Sequence, residues 1–152
     1  LQSNKVKYIT PFVYLIHGVD SLKLLKEINK QAKKNNRTVS CLLQVHIARE
    51  ETKFGFDAAE LDSAVNEIQS SQDYENVMVK GLMGMASFTN DLEKVKDEKK
   101  ILKNLYDKYS TVVAPNCSFS ILSMGMSGEY EPAIELGSNM VRIGSLLFGA
   151  RN

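Results

Sequence analysis

Small, hydroxyl and cationic residues gather near the end of this chain in an order suited to holding a phosphorylated ligand. Ser123 and Gly125 end one apolar run, Arg142 lies inside the next, and Gly144 and Ser145 follow directly. A phosphate dianion needs backbone N–H groups unobstructed by a Cβ and the start of a helix to face. The run GSLLF over 144–148 has that form, and α/β barrels frequently build a phosphate site in the loops after strands 7 and 8. A plain helix start with an N-cap serine would read the same way. Ser123 can offer a hydroxyl and Gly125 an open N–H, while Ser127 suits the cap of a following helix. Arg142, between Val141 and Ile143, must point into an interior or enter an ion pair. Its guanidinium stays charged and only donates hydrogen bonds.

Other polar residues carry weaker signals. His17 and His46 are single histidines on apolar runs, without the spacing of a metal site, and read as satisfied core or rim residues. Cys41 and Cys117 fall in strand-like runs and read as buried, reduced thiols, which fits a cytoplasmic location. Cys117 has no recognisable base beside it. Glu51 and Lys53 suit an ion pair at a barrel mouth, and the lysine runs over 23–34 and 94–103 suit solvated helix faces.

Five strands must position these residues, and they alternate with helical patterns. The expected strands are 13–17, 39–47, 77–83, 119–123 and 140–143. Asp20 or Ser21 opens a helix with Leu22, Leu25, Ile28 and Ala32 at helical spacing. Asp57 and Glu60 form a capping-box pattern ahead of Leu61, Ala64, Val65 and Ile68. Asn90 is expected to open the longest helix, with Leu92, Val95, Leu102, Leu105 and Tyr109 along one face. A last helix over about 128–136 should stop at Gly137 in a left-handed conformation. Strands separated by helices predict parallel βαβ units. Periodicity alone does not separate an arc of barrel from an open sheet.

The 152 residues form one domain, long enough to bury roughly 70% of the unfolded surface. Hydrophobic residues make up 43% and charged residues 24%, as in ordinary globular proteins. A net charge of +1 gives no reason to expect nucleic acid or an acidic membrane as partner. No apolar run approaches the ~18 residues of a membrane span.

The same residues carry a family resemblance. LSMGMS over 122–127, MVRIGS over 140–145 and FGAR over 148–151 resemble the YggS/PROSC family of pyridoxal 5′-phosphate (PLP) homeostasis proteins. LQSNK over 1–5, HGVDS over 17–21, QVHI over 44–47 with Glu51, Lys53 and Gly55, and GLM over 81–83 are similar to further motifs of that family. The resemblance implies a (β/α)8 TIM barrel of the alanine racemase N-terminal type, here lacking the first strands. Strands 4 to 8 would be present and residues 1–4 would be the exit of strand 3. It implies PLP as cofactor, with Arg142 near the pyridine nitrogen, Gly144 and Ser145 at the phosphate, Met83 on the ring face and Asn4 near the cofactor. Ser123 and Gly125 complete the implied set. A plain core methionine or a turn asparagine would serve as well for Met83 and Asn4. His46 stands where the family commonly has asparagine. The family's PLP-bearing lysine lies in an AVSKT-like strand ahead of LQxNK, and Lys5 and Lys53 match other positions. The implied role is a non-catalytic PLP carrier or regulator in the cytoplasm, a monomer at full length; strand edges left open in this chain are expected to associate. The alternative is an amino-acid racemase of the same fold, which would need a second base.

Overall fold

A computed structural model describes residues 1–49 and 54–150. A 3-10 turn, Ser3–Lys5, runs into α1 (Val6–Ile9), followed by β1 (Leu15–Val19), α2 (Leu22–Lys34), β2 (Val39–Val45), α3 (Ala58–Ser70), a 3-10 turn at Gln72–Tyr74, and β3 (Val77–Gly84). Then come α4 (Leu92–Tyr109), β4 (Val113–Ala114), β5 (Cys117–Met126), α5 (Tyr130–Glu135), β6 (Met140–Arg142) and α6 (Ser145–Phe148). The expected glutamate–lysine pair, Glu51 with Lys53, lies outside the described residues.

Five strands pair in parallel in the order β1-β2-β3-β5-β6, each beside the one before it. Right-handed crossovers that always advance one place put every intervening helix on the same face. A doubly wound sheet would reverse direction part-way. The sheet is therefore a singly wound arc of a barrel. The Arg142 guanidinium on β6 crosses β5 to donate to the Gly84 carbonyl at the end of β3, at 3.0 Å, and so ties three strands of the arc together.

Local chemistry explains the elements. The Ser21 hydroxyl accepts the Leu24 N–H at 3.2 Å and starts α2, whose Leu24, Leu25, Ile28 and Ala32 are buried. The expected capping box is present at α3, with the Asp57 carboxylate on the Glu60 N–H and the Glu60 carboxylate on the Asp57 N–H. α4 opens one residue later than expected, because the Asp91 carboxylate, rather than Asn90, accepts the Lys94 N–H. Leu92 accordingly sits outside the buried stripe, exposed. Gly137 ends α5 at φ +100°, as its position predicts.

Four expectations about these elements fail, the first being the opening strand, which runs Leu15–Val19 rather than 13–17. Residues 1–4 are not part of a strand: Asn4 is exposed within the first 3-10 turn. β5 begins earlier and ends later than 119–123, and the two-residue β4 pairs antiparallel with its start, an element too short to leave a periodic signal. The run over 94–103 is not wholly solvated, since Lys99 is 1% exposed and Glu98 is fully buried.

The core lies between the sheet and its helices. Cys41, Leu43 and Val45 alternate along β2 toward the helices, and Leu42 and Gln44 are buried on the opposite, inner face. Gly81 on β3 admits the closest strand approach, because a Cβ there would stand 1.8 Å from the Ile121 carbonyl oxygen. Cys41 and Cys117 flank Val79 in register from opposite sides. Two strand spacings, about 10 Å, exceed what a disulfide can bridge. Burial pushes both thiols up, Cys41 to about 12 and Cys117 to about 11. Among the described residues no helix is long and apolar enough to cross a membrane.

Candidate functional site

The C-terminal ends of β2, β3, β5 and β6 open onto one face, the face on which barrels place their sites. Arg142 is its centre. Its Nη1 donates to the Ser123 carbonyl at 3.1 Å and to the Ser123 hydroxyl at 2.7 Å, and its Nη2 donates to Gly84 O at 3.0 Å. All three acceptors are neutral. A guanidinium has five N–H donors, and two of them have no partner among the described residues. Among the described residues no carboxylate lies within ion-pair distance of it; burial lowers its pKa, and the more distant Glu129 works the other way. The charge remains, as guanidinium does in proteins.

Ser123 is fully buried and sits directly opposite Met83, which is in turn opposite Gln44. The three form one layer on the inner face, with Arg142 laid over it. His17 on β1 belongs to the same interior. Burial first, then the charge of Arg142, holds its pKa below the usual histidine value. β1 and β6 stand four strand spacings apart, about 19 Å if the sheet were flat, so the arc brings them together. The sequence reads His17 as a satisfied histidine, but among the described residues its buried Nδ1 has no hydrogen-bond partner.

Beside Arg142 the β5 and β6 exits meet. The Ser127 hydroxyl accepts the Gly144 N–H at 3.0 Å and, weakly, the Leu146 N–H at 3.4 Å. It thus serves the β6 exit and not the helix that follows it, where Glu129 takes the N-cap position without a side-chain cap bond. Gly144 is likewise the N-cap of α6, with Ser145 its first helical residue rather than the cap. Two N–H groups converging on one oxygen form the arrangement an anion oxygen requires. A Cβ at Gly144 would meet nothing within 4 Å, so open space lies before it. Gly125 has a different reason to be glycine: at φ +101° its Cβ would stand 2.6 Å from the Ala133 Cβ. It lets α5 close on β5. The structure thus brings Met83, Ser123 and Arg142 together and sets Gly144 and Ser145 beside them, while Asn4 makes no side-chain hydrogen bond to this cluster among the described residues.

Two buried charges on α4 support the mouth and escaped the sequence reading. Glu98 accepts the Arg49 N–H at 3.0 Å, the Ser87 N–H at 2.7 Å and the Ser87 hydroxyl at 2.7 Å, tying the β2 and β3 exits. Burial alone would raise its pKa; the bonds from Ser87 and Arg49 outweigh that and lower it. Lys99 pairs with Glu129 at 2.8 Å. β6, only three residues long, is stitched to β5 by side chains: Ser138 Oγ donates to Met124 O at 2.7 Å, and Asn139 bonds the Leu122 N–H at 2.8 Å and Ser120 O at 2.8 Å. Among the described residues no cluster of three or more His, Cys, Asp or Glu could hold a metal.

Fold and site together define a barrel domain with a cationic mouth and an N–H-lined recess at its last two strands. Residues 5–152 match the family described as alanine racemase, N-terminal domain, and the chain belongs to that family. A protein of Aquifex aeolicus named pyridoxal phosphate homeostasis protein is 40% identical over 151 residues, which cover 99% of this chain and 64% of the relative. The chain thus spans a little under two thirds of that relative's length. Among solved structures, PipY of Synechococcus elongatus without PLP superposes with a TM-score of 0.86 at 28% identity, and with PLP bound at 0.82 and 27%. Each alignment covers 98% of this chain and 67% of PipY. Alanine racemase of Clostridium difficile, at TM-score 0.70 and 17% identity, covering 99% of this chain and 38% of the enzyme, shares the fold alone.

Proposed function

We propose that this chain supplies the phosphate- and ring-nitrogen-binding side of a PLP-binding protein that acts in intracellular PLP homeostasis as a non-catalytic carrier. The observation that carries the reading is Arg142, a partly buried cation that among the described residues is held by neutral oxygens alone, with two N–H groups unused. Such a group calls for an acceptor-rich or anionic ligand. The Gly144 and Leu146 N–H groups converge on one oxygen, here Ser127 Oγ, and would suit a phosphoryl oxygen that displaced it. The names of the relatives and the PLP-bound form of PipY support the same ligand.

In this reading Arg142 donates to the pyridine nitrogen, Ser123 fixes the guanidinium from beneath, and Met83 lines the ring face. Gly144 and Ser145 take the phosphate, with the Ser127 oxygen already marking the spot, and Gly125 sets the approach of α5 to β5. When bound, PLP supplies an aldehyde and an electron-accepting ring. A guanidinium does not give up its proton, so the ring nitrogen stays unprotonated and the ring is a weak electron sink. That suits holding and handing on the cofactor better than turning over amino acids. A cytoplasmic location belongs to the same reading, and two unbridged thiols are in keeping with a reducing compartment.

Titrating the protein with PLP and with pyridoxal, which lacks the phosphate, tests this. PLP should bind at least about tenfold tighter, since each hydrogen bond to a charged group is worth ~1.5–3 kcal/mol, and Arg142→Met should weaken PLP binding. Equal affinities for the two ligands, or racemisation of alanine by the PLP-loaded protein, would contradict the carrier reading.

A further inference from the structure

The turn between β5 and α5 carries an acidic group into the neighbourhood of the proposed phosphate site. Glu129 sits two residues beyond Ser127, whose hydroxyl collects the Gly144 N–H. It is close enough to Arg142 to favour the charged form of the guanidinium. An uncompensated carboxylate there would repel a phosphate dianion. Lys99 reaches it from α4, 1% exposed, with Nζ 2.8 Å from Glu129 Oε2. The same Oε2 accepts the Met126 N–H at 3.1 Å, and the Glu129 N–H donates to Met126 O at 3.0 Å, so the carboxylate closes the turn on which Ser127 rides. Burying a lysine is costly unless it is paired, and helix α4 offers exposed positions on either side, at Asp97 and Lys100.

We propose that Lys99 and Glu129 are a positioning pair for the phosphate site: Glu129 shapes the turn that presents Ser127, and Lys99 cancels the charge that this shaping introduces. The proposal rests on the PLP reading above and names residues that reading does not use. It predicts effects of opposite sign from the two partners. Lys99→Met leaves the carboxylate unpaired and should weaken PLP binding by about tenfold while changing pyridoxal binding by less than about threefold. Glu129→Gln keeps an oxygen for the Met126 N–H but removes the charge; PLP affinity should hold or rise. The double variant should recover most of the loss in Lys99→Met, and Lys99→Arg should bind as the parent does. Thermal unfolding of each variant identifies any that fail to fold, and Glu129→Gln alone still tests the sign.

A merely structural pair would lower PLP and pyridoxal binding together, or weaken PLP binding from either partner, and either result overturns the proposal. A parent protein that prefers PLP, with Lys99→Met unchanged in that preference, overturns the role of the pair alone. A parent indifferent to the phosphate overturns the cofactor reading and the pair with it.

Discussion

The two ends of the arc are held together by different means. β2 and β3, seven and eight residues long, pair from end to end apart from a bulge at Lys80, and most of their residues are buried. β6 has three residues, none fully buried, and relies on Ser138 and Asn139 to bond it to β5. Polar groups near β2 and β3 are spent on the fold: the Asn29 side chain accepts the Asn76 N–H, Asn116 donates to Ile68 O, and Glu98 collects three donors. At the β6 end, among the described residues, Arg142 keeps unused donors and nothing lies within 4 Å of a Cβ at Gly144. On the proposed reading stability is concentrated upstream and ligand binding downstream, so substitutions at the two ends should fail in different assays.

The glycines break this comparison most sharply. Gly81→Ala would drive a Cβ into the Ile121 carbonyl and should cost about 4 kcal/mol or more, read as a collapse of the denaturant midpoint. Gly144→Val should leave that midpoint within about 0.5 kcal/mol. Next in size, Leu43→Ala at a fully buried position of β2 should cost about 2–5 kcal/mol, whereas Leu147→Ala on exposed α6 should cost about 0.5 kcal/mol or less.

Acid should act through Glu98. Its folded pKa is depressed, so its contribution to stability is present above the unfolded value near 4.5 and is lost as pH falls through the lower folded value. Glu98→Gln should be less stable at neutral pH and should lose less on acidification, in urea titrations at pH 7 and below 4.5. His17 is also depressed, which places its smaller loss at higher pH: stability falls as pH drops from about 6.5 toward the folded value. His17→Asn should flatten the profile in that window. Smallest of all is the effect on the native state of a thiol reagent at neutral pH. Cys41 and Cys117 are buried with raised pKa values and should react only as the protein unfolds; fast labelling of the native protein would refute the placement of β2 and β5.

Elements governed by local chemistry were legible in the sequence. The Asp57–Glu60 box, the α2 stripe, the Gly137 stop and the alternation of parallel strands with helices follow from spacing, whereas the barrel-like strand order came only with the family resemblance. The candidate site was legible in part, because Ser123, Arg142 and Gly144 sit in short motifs at strand ends. What was not legible depends on distant parts of the fold. Lys99 and Glu98 lie in a run, EKVKDEKK, whose charged residues look solvated until α4 is laid against the mouth. The His17–Arg142 coupling exists only because the sheet curls. Ser127 has a local use and a distant one, and the distant one prevails because β6 brings the Gly144 N–H within 3.0 Å.

The most direct test of the account is a calorimetric titration of PLP into the parent protein and into Gly144→Val. Gly144 has φ −120° and ψ −75°, outside the helical and extended regions, and among the described residues nothing lies within 4 Å of where a Cβ would go, so the unfolding midpoint of the valine variant is measured beside its affinity. The added side chain would fill the place proposed for the phosphate. The account predicts an unchanged unfolding midpoint with PLP affinity reduced by about tenfold or more, the worth of one charge-assisted hydrogen bond, and pyridoxal affinity little altered. Undiminished PLP affinity in Gly144→Val would contradict it and put the phosphate elsewhere.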